Sequence, residues 1–125
     1  MILDTNAVSA WLAGDAALKR LFSQGELTHL PVIVMGEYLF GLLRSTQAAK
    51  LRQGLADLQS DSIILPVELE TASCYADIKE ELRRNGRPIP QNDIWISALA
   101  RQHDLEVVSR DAHFDFVLNL IRKGW

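Results

Sequence analysis

The sequence holds a single cysteine, Cys74, among its 125 residues. No disulfide can form within the chain, so the small disulfide-stapled scaffolds are excluded and a reducing compartment is expected. No apolar run approaches the roughly 20 residues that cross a bilayer. The opening Met-Ile-Leu-Asp lacks the basic start and long apolar stretch of an export signal, so the expected location is the cytoplasm. There is no internal repeat and no low-complexity segment. A basic excess is also missing: the net charge is -3, so bulk charge does not advertise a nucleic-acid binder. It does not exclude one, because a metal bound among carboxylates offsets their charge.

What is present is ordinary globular material. Hydrophobic residues make up 48% and charged residues 23%. The length fits one domain spanning residues 1–125, able to bury roughly two thirds of its unfolded surface.

Short apolar runs alternate with helical patterns. Residues 1–3 read as a short strand ended by Asp4. A helix is expected over 6–23, with Gly14 as the point where it can break, then a strand over 27–30. Residues 32–44 are apolar almost all round, the pattern of a buried helix, with Pro31 suited to its first turn. A further helix covers 47–59, and the β-branched run 62–65 reads as a buried strand. The long helix 68–85 carries Cys74, Ile78 and Leu82 on one stripe and is followed by Gly86. A two-proline loop leads to a helix over 92–103, with Asn92 as its cap. A strand over 106–109 follows, and 118–121 is the candidate for a last one. Strands this short, separated by helices, imply right-handed crossovers. The fold class is therefore α/β: a three-layer α/β/α sandwich around a short parallel sheet of four to five strands.

In such sheets ligands bind outside the carboxyl ends of the strands. Asp4 ends the first strand and Asp111 lies two residues past the strand at 106–109. Asp93 falls in the first turn of its helix, and Glu37 one and a half turns into the helix after the second strand. Four carboxylates can thus converge on one edge. Left alone they would repel one another, and a divalent cation removes the conflict. Oxygen-only ligands suit Mg²⁺ or Mn²⁺ rather than zinc. Each acid also has a plainer reading: Asp4 as a helix cap, Asp93 as a complement to a helix dipole, Asp111 as a turn residue. Glu37 is harder to explain that way, because its helical neighbours Ile33, Val34, Phe40 and Gly41 are apolar or small.

Four segments carry a family resemblance: Met-Ile-Leu-Asp4-Thr5-Asn6-Ala-Val-Ser9, Val-Met-Gly-Glu37-Tyr-Leu-Phe-Gly, Pro-Gln-Asn92-Asp93-Ile-Trp-Ile-Ser-Ala-Leu-Ala and Val-Val-Ser109-Arg-Asp111-Ala-His-Phe. In this order and spacing the chain resembles a PIN domain, in particular a VapC-type toxin. The resemblance runs essentially the whole length. It implies a PIN-like sheet between helices and an endoribonuclease using Mg²⁺ or Mn²⁺. Asp4, Glu37, Asp93 and Asp111 match the metal-binding quartet. Thr5, Asn6 and Ser109 match the polar residues that orient those acids, and Asp115 is a further acid with either a supporting or a surface role. A cognate antitoxin of VapB type and a homodimer are the implied partners. Apolar residues on the early helices, including Trp11, Leu12, Leu39 and Leu43, are candidates for those contacts.

The remaining residues point less sharply. Arg83, Arg84, Arg87 and Arg110 are candidates for RNA phosphates, or for charges that complement a helix end. His29, His103 and His113 form no ligand pair at helical spacing, and His113, close to Asp111, is the one worth testing. Trp11 and Trp95 read as packing residues. Three other functions would make different demands. A PIN nuclease of RNA processing or decay would need no antitoxin. A receiver-like signalling module would need an acceptor Asp after a central strand, where Leu65 is followed by Pro66. A haloacid-dehalogenase-type phosphatase would need an Asp where Asn6 stands.

Overall fold

A computed structural model describes residues 1–125. Five short strands form one parallel sheet: β1 (Ile2–Leu3), β2 (His29–Pro31), β3 (Ile63–Leu65), β4 (Val107–Val108) and β5 (Arg122–Lys123). Their spatial order is β3-β2-β1-β4-β5. Central β1 pairs Ile2 with His29 on one side, and Ile2 and Leu3 with Val107 and Val108 on the other. Successive strand residues point to opposite faces, yet Ile2, Leu3, Val107 and Val108 are all fully buried. Both faces of the sheet centre are therefore covered, as a parallel sheet requires.

Six helices supply the cover: α1 (Thr5–Leu12), α2 (Ala16–Arg20), α3 (Val32–Leu42), α4 (Ala48–Ser60), α5 (Leu69–Arg84) and α6 (Gln91–His103). The chain crosses the sheet in one direction through β3, then returns past β1 to β4. With right-handed crossovers, α1 to α4 lie on one face and α5 with α6 on the other. The reversal leaves a topological switch point between β1 and β4, where doubly wound sheets bind ligands.

Local sequence explains most boundaries. The expected helix over 6–23 is two helices, because Gly14 takes a left-handed φ of 79° and Asp15 restarts the chain by accepting from Ala17 N and Leu18 N. α5 opens with Glu68 N donating to Thr71 Oγ1 (2.9 Å) and buries Ile78 and Leu82 along the expected stripe. Gly86 follows it at φ 61°.

Four expectations need correction. Residues 62–65 do not form a buried strand: β3 is the sheet edge, and Ile63 and Ile64 are 46% and 37% exposed. With a neighbour on only one side, an apolar run is not enclosed. The helix from Val32 is not buried all round. It buries Val34, Tyr38 and Leu42 against the core, while Phe40 and Leu43 are 61% and 71% exposed. Pro31 does not sit in its first turn but closes β2 as the residue before it. The last strand is Arg122–Lys123, not 118–121; Asn119 turns the chain at φ 59°, and β5 is held by backbone bonds such as Ser109 N to Lys123 O (3.0 Å). A two-residue basic strand carries no apolar signal.

Candidate metal centre

Asp4 leaves β1 and caps α1, and its two oxygens do different work. Oδ1 accepts from Thr5 N (2.7 Å), the plain capping role. Oδ2 accepts from Asn6 Nδ2 (2.9 Å) and Ser109 Oγ (2.7 Å), linking the ends of β1 and β4. Asp4 is buried at 5% exposure. Burial raises its pKa first of all, and the charges of Glu37 and Asp111 push the same way, against the hydrogen bonds from Ser109 and Thr5.

Glu37 projects from the middle of α3. Thr5 Oγ1 donates to Oε2, and Asn92 Nδ2 donates to Oε1. Asn92 is therefore not the cap of α6, as the sequence suggested. Pro90 occupies that position and the helix begins at Gln91. The displaced amide instead ties the start of α6 to α3, a role that only the fold reveals.

Asp93 lies in the first turn of α6 with its side chain 13% exposed. Its pKa is pushed up to about 6, mainly by burial. His113 opposes the rise, while the carboxylates of Asp4 and Asp111 add to it. Asp111 caps a short 3-10 helix, Ala112–Phe116, by accepting from His113 N (2.9 Å). Its N–H donates to Ser109 Oγ (2.9 Å), and Phe114, fully buried, pins the same turn to the core. So the plain readings of Asp4 and Asp111 as caps are correct, and each cap also faces the shared edge.

The structure thus brings Asp93 and Asp111 close together, with Asp4 near enough to feel the charges of Glu37 and Asp111 and to act on Asp93, and with Thr5, Asn6 and Ser109 bonded to Asp4 or Glu37. Asn6 also accepts Arg110 N on Oδ1 (3.1 Å), fixing the segment after β4. His113 joins the group with its Nδ1 at 3.1 Å from Asp93 and 3.0 Å from Asp111. Asp115 does not: both its oxygens hold Arg122, whose Nη1 in turn donates to Ser109 O (3.0 Å). Its influence reaches the edge only through that arginine.

Of the arginines, Arg83 and Arg84 share Glu80 on the exposed end of α5. Arg87 lies over the Phe116 ring at 4.8 Å. Arg110 is 3.2 Å from Asp15 and lies 4.3 Å over the Trp125 ring. Trp11 packs edge-on against Phe22 and Trp95 stacks on Tyr75, as packing residues do.

No lysine or arginine pairs with any of the four gathered acids, although Asp15, Glu80, Glu81, Glu106 and Asp115 each have one. Carboxylates held together with no lysine or arginine among them, and with only the half-exposed imidazole of His113 beside Asp93 and Asp111, fit a divalent cation, and their hard oxygen donors suit one. The two concavities of the surface lie elsewhere. The larger, about 550 Å³, is lined by Tyr75, Ile89 and Ile94 among others.

Residues 1–117 match the PIN domain family. The chain belongs to that family. Ribonuclease VapC5 of Mycobacterium tuberculosis is 30% identical over 115 residues, covering 90% of this chain and 84% of the relative. Among solved structures, VapBC2 from Rickettsia felis bound to a promoter DNA fragment superposes with a TM-score of 0.89 at 21% identity, covering 99% of this chain and 97% of that one. The VapBC-5 structure from Mycobacterium tuberculosis gives 0.70 at 28% identity, covering 98% and 94%. The five-stranded parallel sheet and its helices are thus those of a PIN-like α/β/α sandwich. PIN nucleases generally use divalent metal, and in this PIN domain the acidic edge has the donors for it. No helix is long and apolar enough to cross a membrane.

Proposed function

We propose that this PIN domain is a metal-dependent endoribonuclease of the VapC toxin type, cutting RNA phosphodiester bonds and restrained by a cognate VapB-like antitoxin. The observation that carries the reading is the set of acids at the switch point with no lysine or arginine partner, in a chain whose relatives are named ribonucleases.

Asp4, Glu37, Asp93 and Asp111 would hold the ion, Mg²⁺ or Mn²⁺ by the hardness of oxygen ligands. When bound, such an ion polarises the phosphodiester, activates water and stabilises the leaving oxygen. The chain's own work is to place the ligands. Ser109 and Asn6 fix Oδ2 of Asp4, and Thr5 with Asn92 fix both oxygens of Glu37. These partners leave the carboxylates little rotational freedom before metal or RNA arrives. Arg110, one residue from Asp111 and braced by Asp15 and Trp125, is the best-placed cation for an RNA phosphate. Arg87 is next, and Arg83 with Arg84 form an outer basic strip already shared with Glu80.

Partners follow from the surface and the relatives together. Phe40 on α3 and Leu43 just past its end are large apolar side chains left in solvent, a patch suited to an antitoxin segment or a second copy. Trp11, Leu12 and Leu39, named with Leu43 from sequence, instead pack largely against the core. Several solved neighbours are themselves toxin–antitoxin assemblies, among them a complex from Klebsiella pneumoniae and VapBC-5 from Mycobacterium tuberculosis. A cytoplasmic location agrees with the lone cysteine and the absence of a spanning helix.

The second reading, a processing or decay nuclease without antitoxin, shares the chemistry and differs in control. Expression in a bacterial host separates them. The toxin reading expects growth arrest with fragmented RNA, relieved by co-expressing a cognate VapB-like antitoxin. Normal growth from a chain that cuts RNA in vitro would favour the processing reading.

A further inference from the structure

His113 is the one side chain at the acidic edge that the oxygen-only metal reading leaves unused. It occupies the second position of the short 3-10 helix, and its backbone N–H already holds Asp111 Oδ1. Buried Phe114 follows it, so the ring is carried on an anchored turn. Its Nδ1 stands 3.0 Å from Asp111 Oδ1 and 3.1 Å from Asp93 Oδ2. One ligand atom from each of the three residues lies within 4.8 Å of the others. Around an octahedral ion with bonds of about 2.1 Å, adjacent ligand atoms sit roughly 3.0 Å apart and opposite ones roughly 4.2 Å. Nδ1 thus stands from each carboxylate oxygen at the separation of adjacent ligands, and the cluster is tight enough to close on one ion. They come from two separate elements, α6 and the 3-10 helix.

We propose that His113 Nδ1, together with Asp93 and Asp111, is a direct ligand of a divalent-metal position in this chain, so that the site is a mixed nitrogen and oxygen site. This rests on the nuclease reading for its biological use, but not for its chemistry. Ligation through Nδ1 uses the tautomer with its proton on Nε2. The consequence is selectivity. Imidazole is a good ligand for manganese and later transition ions, whereas Mg²⁺ favours oxygen and keeps its waters. The position should therefore favour Mn²⁺ over Mg²⁺, more than four carboxylates alone would.

A simpler role competes: His113 as a hydrogen-bonding brace for the two carboxylates. Pulsed electron paramagnetic resonance on the Mn²⁺-loaded protein separates the two, because only a bound imidazole nitrogen couples strongly to the ion. The proposal expects nitrogen coupling in the parent and none in His113→Asn. Calorimetric titration of the same proteins should show Mn²⁺ affinity falling by roughly 10-fold or more in the variant, with Mg²⁺ affinity falling clearly less. A Mn²⁺-loaded parent without nitrogen coupling overturns the ligand assignment, as does an equal loss for both ions. The parent spectrum alone decides the matter if the variant does not fold. RNA cleavage, measured in parallel, keeps the readings apart. Cleavage without nitrogen coupling removes only the His113 ligand. Coupling without cleavage of any cellular RNA keeps the metal position and removes the nuclease. A parent that binds no Mn²⁺ removes both.

Discussion

Asn92 donates its side-chain amide to Glu37, joining the first turn of α6 to the middle of α3 across 55 positions of sequence. Thr5 grips the other oxygen of the same carboxylate. One acid is thus held from two elements, and its neighbour Asp93 is set by the same helix start.

Removing that grip should weaken the site without unfolding the chain, since Asn92 is exposed. Asn92→Ala is expected to cost roughly 10- to 100-fold in metal affinity or in cleavage, the usual range for a residue that orients a ligand. Its melting temperature should stay near that of the parent. A variant with parental metal binding would mean that Glu37 needs no such support, or is not a ligand.

Stability in EDTA should depend on pH in a direction fixed by Asp93. Its carboxyl titrates at about 6 in the fold against 3.8 outside it, so the native state binds the proton more tightly. Such a group stabilises the fold below the unfolded value, and that contribution is lost as pH rises through the folded value. The melting temperature of the metal-free parent should therefore fall, relative to Asp93→Asn, between about pH 4 and pH 7. Asp4, raised in the same direction, remains in both proteins. Saturating Mn²⁺ should reverse the trend in the parent, because ligation requires the ionised carboxylate. A parent-minus-variant difference that is flat, or that rises with pH in EDTA, would contradict the shift.

Phe114 anchors the turn that carries Asp111 and His113, and it is fully buried. Phe114→Ala should cost about 3–5 kcal/mol of stability and loosen metal binding with it. Denaturant unfolding measures the first and Mn²⁺ titration the second. A loss of metal affinity without a loss of stability would place Phe114 in a role other than anchoring.

Asp115 makes the opposite case. Its carboxylate is spent on Arg122 at a solvent-exposed pair. Asp115→Asn should leave Mn²⁺ affinity within roughly 3-fold of the parent and change stability by under about 1 kcal/mol. A large loss of affinity would return Asp115 to the list of ligands.

Asp4, Asp93 and Asp111 were legible because each sits at a point that local rules can locate, the end of a strand, the first turn of a helix and a cap after a strand, while Glu37, in the middle of α3, stood out only by its apolar and small helical neighbours. The sequence carried the parallel sheet because the core runs at 1–3 and 106–109 are short, apolar and separated by helices. It could not carry Asn92 to Glu37, since nothing local pairs residues so far apart, and capping propensity gave Asn92 a competing explanation. His113 stood out by its nearness to Asp111, but its contact with Asp93, from another element, was hidden for a similar reason. The edge strand β3 and the exposed face of α3 were misjudged because apolar composition reports a tendency to be buried, not the number of neighbours available. β5 was missed because two basic residues on a sheet edge look like any loop.

The measurement that bears most directly on the account is cleavage of total cellular RNA by the purified chain with Mn²⁺, with Mg²⁺ and with EDTA, beside Asp93→Asn under the same conditions. The account predicts cutting with metal, none in EDTA, and a loss of at least roughly 100-fold in the variant, whose circular dichroism should match the parent. Cutting that persists in EDTA, or a folded Asp93→Asn that cuts as well as the parent, would contradict the metal centre on which the rest depends.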